Sequence, residues 1–341
     1  MIGKNHPQTS RVASSPSPRE RGSGGEALRE RGSRGEALRE RRFWGHAFLS
    51  AARPRTVLLS LSGILLGGAL AFAESPGING WVVLFCALTA LTLQILSNLA
   101  NDYGDYKKGV DNVHRAGPQR TMQSGALTER QMRMAIAVTA LVALVFGALL
   151  IFVFARLTWK ELAVFAVMGI AALLAALFYT LGKHPYGYRG LGDLSCFLFF
   201  GWAAVAGTYY LAIRNLDFSI LLPATAMGCC SNAVLNINNM RDYENDKAFG
   251  KNSFVVKIGL KGAFLYHVCL TVVPFLCLTV FSIMKRAPYY TYSFWLLFPL
   301  FLRDLVTIRK TLKTGVPDQF LPKQVLHTFL LAVAFSLLTV N

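Results

Sequence analysis

What most constrains this chain is a succession of apolar stretches, each about 20 residues long and nearly free of charge. Nine can be read, at 56–73, 81–101, 132–155, 160–181, 191–213, 218–240, 262–284, 289–308 and 323–340. In hydrocarbon a helix satisfies all its backbone hydrogen bonds within one segment, so runs of this length predict transmembrane helices. The fold class that follows is an all-α integral membrane protein, a bundle of nine transmembrane helices around an apolar tunnel. At 53% hydrophobic residues over 341 positions, the composition lies outside the ordinary soluble range. Two spans are imperfect: 289–308 carries Arg303 and Asp304, and 323–340 is barely long enough.

The formal net charge is +17, and its placement matters more than its size. Lys and Arg crowd the segments before the first span and after the second, fourth, sixth and eighth. The opposite connections carry five: Arg156, Lys160, Arg214, Lys285 and Arg286. The positive-inside rule therefore predicts a cytoplasmic N-terminus and, after nine spans, an external C-terminus. Cations spread over the loops of one membrane face do not form a nucleic-acid footprint. The six cysteines all fall inside predicted helices and read as small packing groups, with no metal-ligand spacing.

Residues 1–50 differ from everything that follows. They are rich in Pro, Ser, Gly, Arg and Glu, and a ten-residue unit repeats at 19–28 ("RERGSGGEAL") and 29–38 ("RERGSRGEAL"). Paired glycines and the lack of apolar periodicity predict a disordered basic tail with affinity for anionic lipid, ahead of one membrane domain over 51–341. The five glutamates of the tail argue against a transit peptide.

Within the membrane domain, polar residues gather at 98–125, 183–193 and 238–261. At 100° per residue, Asn98, Asp102 and Asp105 share one face at the inner end of the second span. Asn238, Asp242 and Asp246 do the same at the end of the sixth. Each cluster is trailed by bases: Lys107, Lys108, Arg115 and Arg120 after the first, Lys247, Lys251 and Lys257 after the second. Facing carboxylate pairs repel at a membrane boundary unless a hard cation joins them. Mg²⁺ prefers such oxygen ligands and keeps places for phosphate oxygens, and the flanking bases supply direct charge. A diphosphate whose other end needs an apolar tunnel is an isoprenoid diphosphate. Each Asp or Lys alone reads equally well as a solvated helix end, and two matching clusters on like-oriented helices favour the diphosphate site.

Three segments carry a family resemblance: "NDYGDYKKGVDNVHRAGPQRTMQSGALT" (101–128), "YTLGKHPYGYRGLGD" (179–193) and "NNMRDYENDKAFGKNSFVVKIG" (238–259), with "ARPRT" (52–56) ahead of the first span. Together they resemble the UbiA superfamily of intramembrane aromatic prenyltransferases, in its 1,4-dihydroxy-2-naphthoate polyprenyltransferase branch, over about residues 48–340. Ser253 stands where the pattern leads us to expect Thr. The resemblance implies a helical bundle around a central cavity in a bacterial inner membrane, with the site loops cytoplasmic. It implies Mg²⁺ as cofactor, with a polyprenyl diphosphate and an aromatic acid as substrates. It also implies transfer of the polyprenyl chain to dihydroxynaphthoate with loss of diphosphate and CO₂, giving demethylmenaquinone.

On that reading Asp102, Asp105, Asp242 and Asp246 are the catalytic, metal-holding set. Asn98 and Asn238 orient ligands or bind metal, and Asp111, in the loop, is a lesser candidate. Lys107, Arg115, Arg120, Lys247 and Lys251 are candidates for the phosphates. Tyr179, Lys183, Tyr186 and Asp193 are candidates for the acceptor, although the glycines of that patch read more simply as turn formers. Phe178, Tyr179 and Phe200 could wall the allylic cation, and His114 or His184 could take a phenolic proton. Competing readings are relatives acting on 4-hydroxybenzoate, homogentisate, haem or a chlorophyllide, a cation-coupled transporter, and a quinone-binding scaffold. Transporter acids usually lie at the bilayer midplane on broken helices, whereas these lie at helix ends beside basic loops. Deleting residues 1–45 is expected to leave the rate of product formation in a membrane assay largely intact.

Overall fold

In a computed structural model the described residues are 45–113, 115–215, 217–312 and 314–340, so the tail repeat and His114 lie outside them. The membrane unit begins at Ala47, and its first residues, 47–52, are already helical. Nine helices among the described residues are long and apolar enough to cross a membrane: α1 (Pro54–Glu74), α2 (Gly80–Lys107), α3 (Glu129–Phe154), α4 (Trp159–Phe178), α5 (Gly192–Ile213), α6 (Phe218–Arg241), α7 (Phe254–Met284), α8 (Tyr289–Thr311) and α9 (Phe320–Val340). The nine-span reading therefore holds. Its boundaries shift most at α2, which runs on as helix to Lys107, and at α7, which starts at Phe254.

Local chemistry sets these ends. Pro54 opens α1, where its missing N–H has no helical partner to lose. Thr128 and Gln131 form a capping box at the start of α3, and Thr158 and Glu161 form another at α4. Ser253, the departure from the expected Thr, caps α7 by accepting the Val256 N–H at 3.4 Å. Six residues on, Gly259 at φ 70° kinks the helix, a conformation natural to glycine.

Packing divides the bundle into a dense half and a hollow half. One apolar core joins Leu66 and Leu70 of α1, Tyr209 of α5, Met227 of α6, Phe275 and Phe281 of α7, Phe294 and Phe301 of α8, and Phe335 of α9. Within its most apolar window α6 is 72% buried, which makes it the axis of the fold, whereas α4 buries none of its window. α4 leans on α2 and α3 as a thin wall over the hollow half. The π-helical stretch Phe197–Ala206 of α5 faces both halves.

Small residues let α5 approach its neighbours. A Cβ on Gly67 would stand 2.4 Å from the Val205 carbonyl oxygen, and one on Gly201 would stand 2.6 Å from that of Ala224. Such seams replace the hydrophobic drive that helices lose in lipid. Gly67→Val is expected to cost about 1–3 kcal/mol by overpacking, read as a lower thermal midpoint. Gly77→Ala, whose Cβ meets nothing within 4 Å, should leave the midpoint unchanged.

Candidate active site

A cavity of about 530 Å³ lies among α1 to α6. Its apolar end is walled by side chains such as Ile151, Phe165, Leu173 and Phe199. Its polar end is lined by Arg53, Asn98, Asn101, Asp105, Arg115, Arg120, Asn238, Asn239, Asp242 and Lys251. Both carboxylate motifs thus reach one chamber.

On α2, helical phase decides which acid faces the chamber. With Asn98 as zero, Asn101 falls at about −60°, Asp105 at about −20° and Asp102 at about +40°. Asn98, Asn101 and Asp105 line the cavity, and Asp102 lies at the edge of that face, outside the lining. Its two oxygens accept the backbone N–H groups of Thr121 (3.2 Å) and Met122 (3.3 Å), which fixes the following loop over the site. Asp105 accepts the Tyr188 hydroxyl at 2.6 Å and Lys251 Nζ at 3.2 Å. Asp111 is buried, with Arg115 Nε at 3.4 Å and Arg120 Nε at 3.8 Å. Neither of its oxygens accepts a hydrogen bond from the described residues. Burial pushes its carboxyl up to about 6 against the pull of Arg120.

The second motif departs from a straight helix. α6 ends at Arg241, and Asp242 turns out of line at φ −92°, ψ 9° before the short helix Tyr243–Ala248. The single-face phasing of Asn238, Asp242 and Asp246 is corrected by this kink, although the Asp246 N–H still donates to the Asp242 carbonyl at 2.8 Å. Arg241 grips Asp242 with Nε (2.9 Å) and Nη2 (2.8 Å), and Arg115 Nη2 adds a bond at 2.9 Å. Burial alone would raise the Asp242 carboxyl. The bond and charge of Arg241, with Arg115 and Lys251, overcome it and hold the group at about 2. Asp246 lies 3.9 Å from Lys251 and keeps one oxygen without a hydrogen bond. Burial, opposed by Lys251 and reinforced by Asp242 and Asp105, raises it to about 7.

The motifs are cross-paired. Lys251 from the second bonds Asp105 of the first, and Arg115 from the first bonds Asp242 of the second. Asn112 Nδ2 donates to Asn245 Oδ1 at 2.9 Å, and Asn245 Nδ2 donates to the Val110 carbonyl at 2.8 Å.

Several sequence candidates stand elsewhere. Lys107 is exposed and pairs with Glu129 at 2.8 Å, and Lys247 is exposed over the Tyr243 ring. Lys183, His184 and Phe178 are exposed and outside the cavity lining. A short tether after each motif does not fix direction, and only the bases that pair with buried acids turn inward. Tyr179 and Tyr186 do line the cavity, with ring centroids 5.4 Å apart. The Tyr186 hydroxyl bonds the Ala175 carbonyl and Ser195 Oγ, each at 2.9 Å. Asp193 is buried and outside the cavity lining. Asn98 Nδ2 donates to the Ala52 carbonyl at 2.8 Å, pinning the start of α1, and Asn238 Oδ1 accepts Arg241 Nη2 at 2.8 Å.

Five residues escape the sequence reading: Asn101 and Asn239, which line the polar end, and Arg53, Tyr188 and Arg241. Arg53 lines the cavity from a left-handed backbone turn (φ 52°). Tyr188 sits among the glycines that read as turn formers. Arg241 looks like an ordinary topogenic cation. Among the described residues no three His, Cys, Asp or Glu groups converge as a preformed metal cage. The donors nevertheless fit a hard divalent cation: oxygen ligands only, with unbonded buried oxygens on Asp111 and Asp246.

The UbiA prenyltransferase family profile matches residues 60–321. A 1,4-dihydroxy-2-naphthoate octaprenyltransferase of Haemophilus influenzae is 39% identical over 84% of this chain and 93% of its own. One of Escherichia coli is 41% identical over 76% of this chain and 83% of its own. In fold, the chain resembles a UbiA homolog from Archaeoglobus fulgidus solved with GPP and Mg²⁺. That likeness has a TM-score of 0.59 at 15% identity and covers 86% of this chain and 99% of that one.

The raised Asp246 carboxyl gives a signed expectation. Its ordinary value is 3.8 and its folded value about 7, so its contribution to stability is whole below about 4 and is lost as pH rises through about 7. With divalent cations chelated, the thermal midpoint should fall from pH 5 to pH 8, and Asp246→Asn should flatten that slope.

Proposed function

The chain belongs to the UbiA prenyltransferase family, and from that membership we propose that it transfers a polyprenyl group from an all-trans-polyprenyl diphosphate to 1,4-dihydroxy-2-naphthoate, releasing diphosphate and CO₂ and forming demethylmenaquinone in its reduced, quinol form. The observation that carries this reading is one chamber that is charged at one end and apolar at the other, the shape of a prenyl diphosphate. The relatives that match over most of the chain supply the acceptor.

In this reading Arg53, Arg115, Arg120 and Lys251 hold the diphosphate from the cavity wall. Asp105 and Asp242 from the cavity wall, with Asp111 and Asp246 buried outside the lining, would hold Mg²⁺, and Asp102 serves by folding the loop that carries Arg115 and Arg120. Bound there, Mg²⁺ would supply Lewis-acid neutralisation of charge on the leaving diphosphate. The bases do the same from the protein side, and because they are already in place they cost little reorganisation as the allylic C–O bond breaks. Phe199 and Phe200 present apolar faces that keep water from the allylic cation. Tyr179 and Tyr186 offer ring walls for the acceptor. The acceptor carbon bearing the carboxylate takes the prenyl group, CO₂ departs leaving its electron pair, and the ring recovers aromaticity.

The basic loops favour a cytoplasmic N-terminus and site in a bacterial inner membrane. Prenyl diphosphate incubated with dihydroxynaphthoate, 4-hydroxybenzoate or homogentisate, with products identified by mass, tests the acceptor. We expect Mg²⁺-dependent diphosphate release with dihydroxynaphthoate alone. Asp105→Ala and Asp242→Ala are expected to lose about 10²-fold or more in kcat while remaining membrane-inserted.

A further inference from the structure

Asp242 faces the cavity, but the group that orients it does not. Arg241 is buried and absent from the cavity lining, so it meets Asp242 from behind. Neighbours in a helix normally point apart. Here the helix ends at Asp242, and the turn brings the carboxylate back onto the guanidinium of the residue before it. Nε and Nη2 engage one carboxylate oxygen each, at 2.9 and 2.8 Å, and Nη2 also reaches Asn238 Oδ1 at 2.8 Å. The remaining nitrogen, Nη1, donates to Asp318 in the connection between α8 and α9. That connection is docked independently, since Val316 and Phe320 are buried in one apolar cluster with Ile237 and Met240 of α6.

We infer that Arg241, anchored by Asp318, is a positioning residue. It grips the Asp242 carboxylate from the rear and so fixes the oxygens that face the cavity toward Mg²⁺ and diphosphate. The inference rests on the proposed function. It makes the α8–α9 connection a working part of a site whose motifs lie on α2 and α6. A planar fork can hold both oxygens of a carboxylate at once, and an ammonium cannot. Arg241→Lys therefore keeps the charge and removes the orientation, which separates positioning from simple neutralisation. Asp318 is partly exposed, so Asp318→Ala removes the anchor with little disturbance of the core.

The test uses full-length protein in lipid nanodiscs, with thermal midpoints confirming that each variant is folded. Mg²⁺ is titrated calorimetrically at saturating inorganic diphosphate, and its half-saturation is measured again in turnover at saturating substrates. Arg241→Lys is expected to weaken Mg²⁺ about 10-fold, the usual scale for losing an outer partner of a ligand. Asp318→Ala should weaken it in the same direction. The double variant should be little worse than Arg241→Lys alone, because the two act in series. Wild-type Mg²⁺ affinity in both single variants, additive effects, or tighter Mg²⁺ binding would each overturn the assignment, the last by showing Arg241 to be a competitor. A shift in diphosphate affinity with no shift in Mg²⁺ would overturn it too, by making Arg241 a direct phosphate ligand. If wild-type protein itself binds no Mg²⁺–diphosphate, the function reading fails first, and the variants are not needed to see it.

Discussion

Everything at the polar end of this bundle follows from one constraint: a buried carboxylate at a membrane boundary must be paired or give up its charge. The chain meets it by exchange. The first motif's loop supplies Arg115 to Asp242, and the second motif's loop supplies Lys251 to Asp105. Each half also keeps a pair of its own, Arg241 on Asp242 and Arg115 on Asp111, so the exchange adds to local pairing rather than replacing it. Two segments separated by more than a hundred residues are thereby drawn into one chamber, and the Asn112–Asn245 bond closes the seam between their loops.

The apolar architecture makes room for that chamber. Tight seams of α1 and α6 against α5 and the aromatic core of α5–α9 give the bundle a rigid side. With stability concentrated there, α4 can stand as a wall that buries almost nothing of itself. A cavity is costly where a core ought to be.

Much of this was legible in the sequence, and the remainder was not for identifiable reasons. Hydropathy located nine spans because length and charge are local properties. Phasing brought Asp105 to the site but also assigned Asp102 to it, because a 40° offset lies within the width of a helix face and a loop's demand for acceptors is invisible in one dimension. The kink at Asp242 left no signal, since neither Gly nor Pro marks it. Lys107 and Lys251 look equivalent as bases trailing an acid motif. Only the fold shows that one finds Glu129 at the surface and the other finds Asp105 inside. Arg53 and Arg241 were hidden by the positive-inside rule, which explains any cation at a helix's inner end without distinguishing one that works.

A charge count then links the resting site to the proposed reaction. Two carboxylates, Asp105 and Asp242, and four bases, Arg53, Arg115, Arg120 and Lys251, line the chamber, with Asp102, Asp111, Asp246 and Arg241 buried around them. The lining therefore carries more bases than acids, which suits an anionic ligand. A diphosphate entering alone would strip Arg115 and Lys251 from the acids they pair with. A divalent cation entering alone would do the reverse. In the proposed function the acids would hold the metal and the bases the phosphates, so that the pairs broken would be replaced by new ones. The cross-pairing that satisfies these acids without ligand is thus, in the proposed function, one that would favour substrate and metal together.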